Sequence, residues 1–64
     1  MIKVFYSVDY TILGSDKAHR MWFNNLEEAI KFSKADYRDN PVRHIFNNEA
    51  LIKMAEQLIE LQKN

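Results

Sequence analysis

Cysteine is absent, glycine and proline occur once each, and neither sign of charge is in excess, with nine basic side chains against nine acidic ones. Without cysteine there is neither a disulfide framework nor a thiolate to hold a metal, and a reducing compartment is the expected setting. Charge balance removes the global field that recruits nucleic acid or anionic lipid, so charge-based recognition has to be local. The opening Met1-Ile2-Lys3-Val4-Phe5-Tyr6 lacks a basic segment followed by a long apolar run, so no secretory leader is expected and the expected location is cytoplasmic. No apolar stretch nears the roughly eighteen residues that span a bilayer, and no membrane role is expected. With 47% hydrophobic residues and so little Gly and Pro, the chain also falls outside the composition of disordered proteins.

Sixty-four residues make one small domain, 1–64, because a chain of this length buries only roughly 60% of the surface it exposes when unfolded. Small domains supplement so limited a core with disulfides, a metal or a second subunit. With no cysteine available, a homodimer or a binding partner is the expected supplement.

What the chain does have is a clean alternation at its start. Ile2, Val4, Tyr6, Val8, Tyr10 and Ile12 fall on one face of a strand, and Lys3, Ser7, Asp9 and Thr11 on the other, interrupted there by Phe5 and Leu13. Gly14-Ser15-Asp16-Lys17 supplies turn chemistry for a hairpin. A tight loop would pair Leu13 with Ala18, Ile12 with His19, Tyr10 with Met21 and Val8 with Phe23. That register places His19, Met21 and Phe23 on the apolar face, and Arg20 and Trp22 on the other beside Thr11 and Asp9.

Asn25, with Glu28 three residues later, has the pattern of a capping box for a first helix, with Leu26, Ala29, Ile30, Ser33 and Tyr37 as its inner stripe. The helix is expected to stop near Arg38-Asp39-Asn40, ahead of Pro41. Val42, His44 and Phe46 alternate with Arg43 and Ile45 as a short third strand. Asn47 or Asn48 caps a second helix, whose Leu51, Ile52, Met54, Ala55, Leu58, Ile59 and Leu61 form a stripe wider than one core contact requires. The expected fold is α+β in ββαβα order: an antiparallel hairpin, a third strand and two helices.

Catalytic parts are scarce. His19 and His44 are the only imidazoles, stand far apart in the chain and have no metal-ligand spacing, so they read as packed or half-exposed side chains. Ser7, Ser15 and Ser33 lie in no nucleophile motif, Glu27 and Glu28 are first-turn residues favoured by the helix dipole, and a lone Gly14 makes no phosphate loop. No enzyme activity, metal or cofactor is expected.

A second set points to binding. Phe5, Trp22, Arg20, Lys3 and Asp9, with Arg43 and Ile45, are expected together on the second sheet face, a mixture of aromatic and Arg side chains typical of interface hot spots. The same pattern also fits a second small core, with Phe5, Trp22, Leu13 and Ile45 covered by Leu51, Leu58 and Leu61 of the last helix. The wide stripe of that helix either lies in a groove beside the first helix or offers Met54, Leu58 and Leu61 as the seam of a homodimer or partner. Single-stranded nucleic acid, stacked on the aromatics and held by Lys3, Arg20 and Arg43, is the alternative partner. Zero net charge and Asp9 on the same face weigh against it.

The stretch Met21-Trp22-Phe23-Asn24-Asn25-Leu26-Glu27-Glu28-Ala29-Ile30-Lys31-Phe32 resembles the strand-to-helix junction of very small bacteriophage proteins. Some of these have ββαβ-type architecture and act as stoichiometric inhibitors of host RNA polymerase, of toxins, or of CRISPR and other defence enzymes. The resemblance implies tight one-to-one blocking of a larger host protein in the bacterial cytoplasm, and it assigns no residue a role. The expected function is a non-catalytic protein-binding domain that inhibits by occlusion.

Overall fold

The computed structural model describes residues 1–63. The elements run β1 (Lys3–Thr11), β2 (Ala18–Phe23), α1 (Leu26–Ser33), β3 (Val42–Phe46) and α2 (Glu49–Gln62). The strands form one antiparallel sheet in the order β2-β1-β3, so the third strand pairs beside the first. The α+β class and the ββαβα order are those expected from the chain.

The hairpin register differs from the tight-loop expectation by two residues. Tyr10 pairs with His19, Val8 with Met21, Tyr6 with Phe23, and Thr11 with Ala18. Ile12 and Leu13 leave the strand, and the turn closes through the Ser15 amide donating to the Ile12 carbonyl at 2.9 Å, with Gly14 at φ 86°. Side chains alternate with period two, so a slip of two leaves every residue on its expected face. Trp22 and Arg20 keep their face, but their partners shift from Asp9 and Thr11 to Ser7 and Asp9.

Each helix covers a different face of the sheet. α1 packs on the even-numbered face of β1, where Phe32 meets Tyr10 edge-on at 5.3 Å and Phe23 at 5.5 Å, above fully buried Val8. On the odd-numbered face, Phe5, Ile52, Ala55 and Ile59 form the main core, flanked by Trp22 and Phe46. α2 therefore does not lie beside α1. The second core exists, but with other members: Leu13 sits in the turn, Leu51, Leu58 and Leu61 stay exposed, and Ile45 is on the opposite face because it pairs with Val4. Arg43, which pairs with Tyr6, is on that opposite face too.

Both Asn caps form, Asn25 Oδ1 accepting from the Glu27 and Glu28 amides and Asn48 Oδ1 from those of Ala50 and Leu51. α1 ends at Ser33, well before Asn40. The reason is tertiary. The Thr11 amide donates to the Tyr37 carbonyl and the Asp39 amide to the Asp9 carbonyl, so 37–39 completes the ladder of the long strand β1. Tyr37 turns the chain with φ 66° and is exposed, not on an inner stripe. Arg38 closes the helix end by donating to the Phe32 carbonyl at 2.7 Å while its guanidinium lies 3.8 Å from the Phe32 ring centroid. Pairing advances three residues on β1, from Tyr10 to Ser7, and four on the other side, from Arg38 to Val42. One extra residue is thus bulged beside Pro41, which has no amide to donate.

Candidate functional site

The odd-numbered face of β1 gathers most of the side chains expected at a binding surface. Lys3, Phe5, Ser7 and Asp9 rise from one side of the strand, and the register sets Arg20 and Trp22 beside them from β2 and His44 and Phe46 from β3. Ser7 is small enough to let the rings on either side of it meet: Trp22 and His44 centroids are 4.8 Å apart, Trp22 and Phe46 6.3 Å, and the Arg20 guanidinium lies 5.8 Å from Trp22.

Electrostatics on this face are settled pair by pair. Arg20 Nε donates to Asp9 Oδ1 at 2.7 Å, which holds the Asp9 carboxyl below and the Arg20 guanidinium above their ordinary pKa values. Lys3 Nζ donates to Glu56 Oε2 at 2.6 Å. Both pairs are exposed, where a salt bridge contributes little and is screened by salt. Phe5 is 1% exposed and works as core, so it is not a contact residue. Arg43 is separated from the set by the sheet itself.

A serine-histidine pair that chain spacing did not reveal lies beneath Trp22. Ser7 Oγ and His44 Nε2 are 2.7 Å apart, and burial, followed by the nearby Arg20 charge, lowers the His44 pKa below its ordinary 6.5. A neutral imidazole on a hydroxyl is the start of a nucleophile constellation. Here, however, Ser7 is 1% exposed, so its oxygen is closed to an incoming carbonyl. The pair satisfies two polar groups inside the sheet-helix layer. Among the described residues no buried side-chain nitrogen or oxygen lacks a partner, and no three His, Asp or Glu side chains gather to hold a metal ion.

The open feature is apolar. Ile52, Ala55 and Ile59 point α2 at the sheet, while Leu51, Met54, Leu58 and Leu61 line its flank with 42–69% of their surface exposed. Between that flank and the sheet runs a groove of about 120 Å³ lined by Trp22, Phe46, Leu51, Met54, Ala55 and Leu58. Trp22 on the sheet thus lines one groove with Met54 and Leu58 on the helix, and exposed Leu61 continues the same helix flank. Phe46, expected only as a third-strand residue, and Leu51, expected as cover for a second core, join them. A second cleft of about 150 Å³ lies on the β2 side of Trp22, between Met21, Phe23, Glu28, Ile59, Gln62 and Lys63. There the Gln62 carboxamide accepts from the Trp22 amide and donates to the Trp22 carbonyl, both at 2.7 Å, filling the place of a further strand on the β2 edge.

Fold and site together define a small α+β domain with helices on both faces of a three-stranded sheet and an apolar groove beside one of them. Comparison of the chain with family models, with curated proteins and with solved structures finds no match. Among the described residues, no helix is long and apolar enough to cross a membrane.

Proposed function

We propose that the protein acts by holding a larger protein against the flank of α2, blocking it by occupying its surface. The observation that carries this reading is the row Leu51, Met54, Leu58 and Leu61, exposed along the helix and continuous with the groove over Trp22 and Phe46. Contiguous apolar surface of this kind marks an interaction site, and an amphipathic helix or apolar loop of the partner is what such a groove accepts. Trp22 is the anchor and Arg20 the polar rim. In the bacteriophage reading, the partner is a host protein such as RNA polymerase, a toxin or a defence enzyme.

The same arrangement counts against a nucleic-acid platform. Phe5 is buried, Lys3 and Arg20 already face Glu56 and Asp9, and Arg43 is on the other face, leaving no stripe of free cations on this face among the described residues to track phosphates.

The test captures binding proteins with tagged wild type, Leu58→Asp and Ile45→Asp, all checked for folding by circular dichroism, and then titrates the purified partner by calorimetry. The expected result is a one-to-one complex, little affected by salt, that Leu58→Asp weakens by about 2 kcal/mol or more and Ile45→Asp leaves intact. Loss of binding on Ile45→Asp alone, or a steep fall with added salt, overturns the reading.

A further inference from the structure

Resting on the reading of the α2 flank as a protein-docking surface, we infer that its occupant in the free protein is a second copy of the same flank, the two helices lying antiparallel. The four exposed side chains are placed symmetrically about Glu56: Leu51 and Leu61 stand five residues either side of it, Met54 and Leu58 two. Turning a second α2 end for end therefore sets Leu51 against Leu61 of the second copy and Met54 against Leu58 of the second copy. Each apolar residue meets an apolar residue, and none is left over. The spacing of three, four and three is that of a coiled-coil seam.

At 100° per residue this seam points roughly 110° away from the direction in which Ile52, Ala55 and Ile59 face their own sheet. The helix can thus keep its core contacts and accept a neighbour, which would lie in the groove over Trp22 and Phe46. The outer flank of the seam carries Ala50 and Gln57, both neutral, while Lys53 and Glu60 sit further round. Self-pairing therefore brings no like charges together. An antiparallel arrangement also opposes the two helix dipoles, where a parallel one would align them.

The apolar area on offer is on the order of 400–500 Å² per copy, short of the ~800 Å² per partner of a standard interface, so the dimer is weak and concentration-dependent. A larger partner that fills the same groove displaces the second copy.

Sedimentation of the untagged protein between about 10 μM and 1 mM tests the association, and a chain with no cysteine allows its geometry to be trapped. Tagged Leu51→Cys and untagged Leu61→Cys are oxidised separately and mixed. In the antiparallel register the unlike cysteines stand level, while each like pair is offset by about 15 Å along the axis at 1.5 Å per residue, beyond the ~7 Å Cα reach of a disulfide. The expected result is a wild-type dimer, at least a 30-fold rise in its dissociation constant for Leu58→Asp, and cross-linking in the mixture only. Monomer at every concentration, or cross-linking of either variant with itself, overturns the inference. If the wild type stays monomeric while Leu58→Asp still abolishes partner capture, self-association falls and the docking reading stands. If the mixed cross-link forms but Leu58→Asp leaves partner capture intact, the dimer stands and the docking reading falls.

Discussion

Replacing Gln62 by Ala isolates a tertiary contact that links the last turn of α2 to the sheet edge. Its carboxamide makes two hydrogen bonds, both 2.7 Å, with the amide and carbonyl of Trp22. Each such bond contributes a net 0.5–1.5 kcal/mol, or about 2 kcal/mol for the two. Alanine returns a few tenths through its higher helix propensity, and water reaches part of the freed backbone, so the expected loss is about 1.5 kcal/mol. With an m-value near 1 kcal/mol/M for so small a domain, the urea midpoint should fall by about 1.5 M. Gln62→Glu sharpens the test, since a carboxylate of the same size accepts from the Trp22 amide but cannot donate to its carbonyl. It also sits at the negative end of the helix dipole. It should destabilise at least as much as Ala, and hydrogen exchange at the Trp22 amide should accelerate in both. A midpoint shift under about 0.3 M for Gln62→Ala, with unchanged exchange at Trp22, would show that this bridge does not hold helix to sheet.

Four other substitutions probe different links. Phe5→Ala removes the largest buried side chain of the α2 layer at a cost of about 3–5 kcal/mol, comparable to the whole stability of a small domain, so its circular dichroism should be that of an unfolded chain. Met54→Ala on the exposed flank should shift the urea midpoint by less than about 0.5 M, as surface changes do. His44 should make stability depend on pH: its folded-state pKa lies below the ordinary 6.5, so on acidification the unfolded chain takes up the proton first. Stability is full above about pH 7 and declines as pH falls through 6.5 toward the folded value. In His44→Gln, which keeps a partner for Ser7, urea midpoints measured at pH 7 and pH 5.5 should differ less than in wild type. Tyr37→Gly should raise stability by up to about 1 kcal/mol, because a non-glycine residue at φ 66° bears the left-handed penalty and this side chain is mostly exposed. An unchanged or lower melting temperature would count against strain at that turn.

Features set by local rules were readable in the chain. Alternation marked β1, two asparagines marked the helix starts, and side-chain parity put Trp22 and Arg20 on the face of Asp9 even though the hairpin register was two residues out. Features set by distant partners were not. Nothing near Ser33 in the sequence ends α1 there; the ladder of β1, claiming 37–39 for its free backbone groups, does. Likewise, Arg43 and Ile45 could be placed on a face only once β3 was known to pair with β1 with His44 opposite Phe5. The Ser7-His44 bond follows from the same pairing, joining residues that are distant in the chain and carry no motif.

The breadth of α2 is the case where sequence came nearest to function and stopped short. Its apolar residues merge two stripes, Ile52, Ala55 and Ile59 toward the sheet and Leu51, Met54, Leu58 and Leu61 along the flank. Both repeat with helical period, so periodicity alone cannot say which of the two is buried. The sheet decides. Phe5 receives the branched and small residues of the first stripe, while Trp22 and Phe46, packed beside that core, form with the second stripe the walls of a groove. If that division is right, an aspartate in the first stripe, as in Ile59→Asp, must abolish folding, whereas one in the second, as in Leu58→Asp, must leave the circular dichroism spectrum unchanged and alter only what the protein holds.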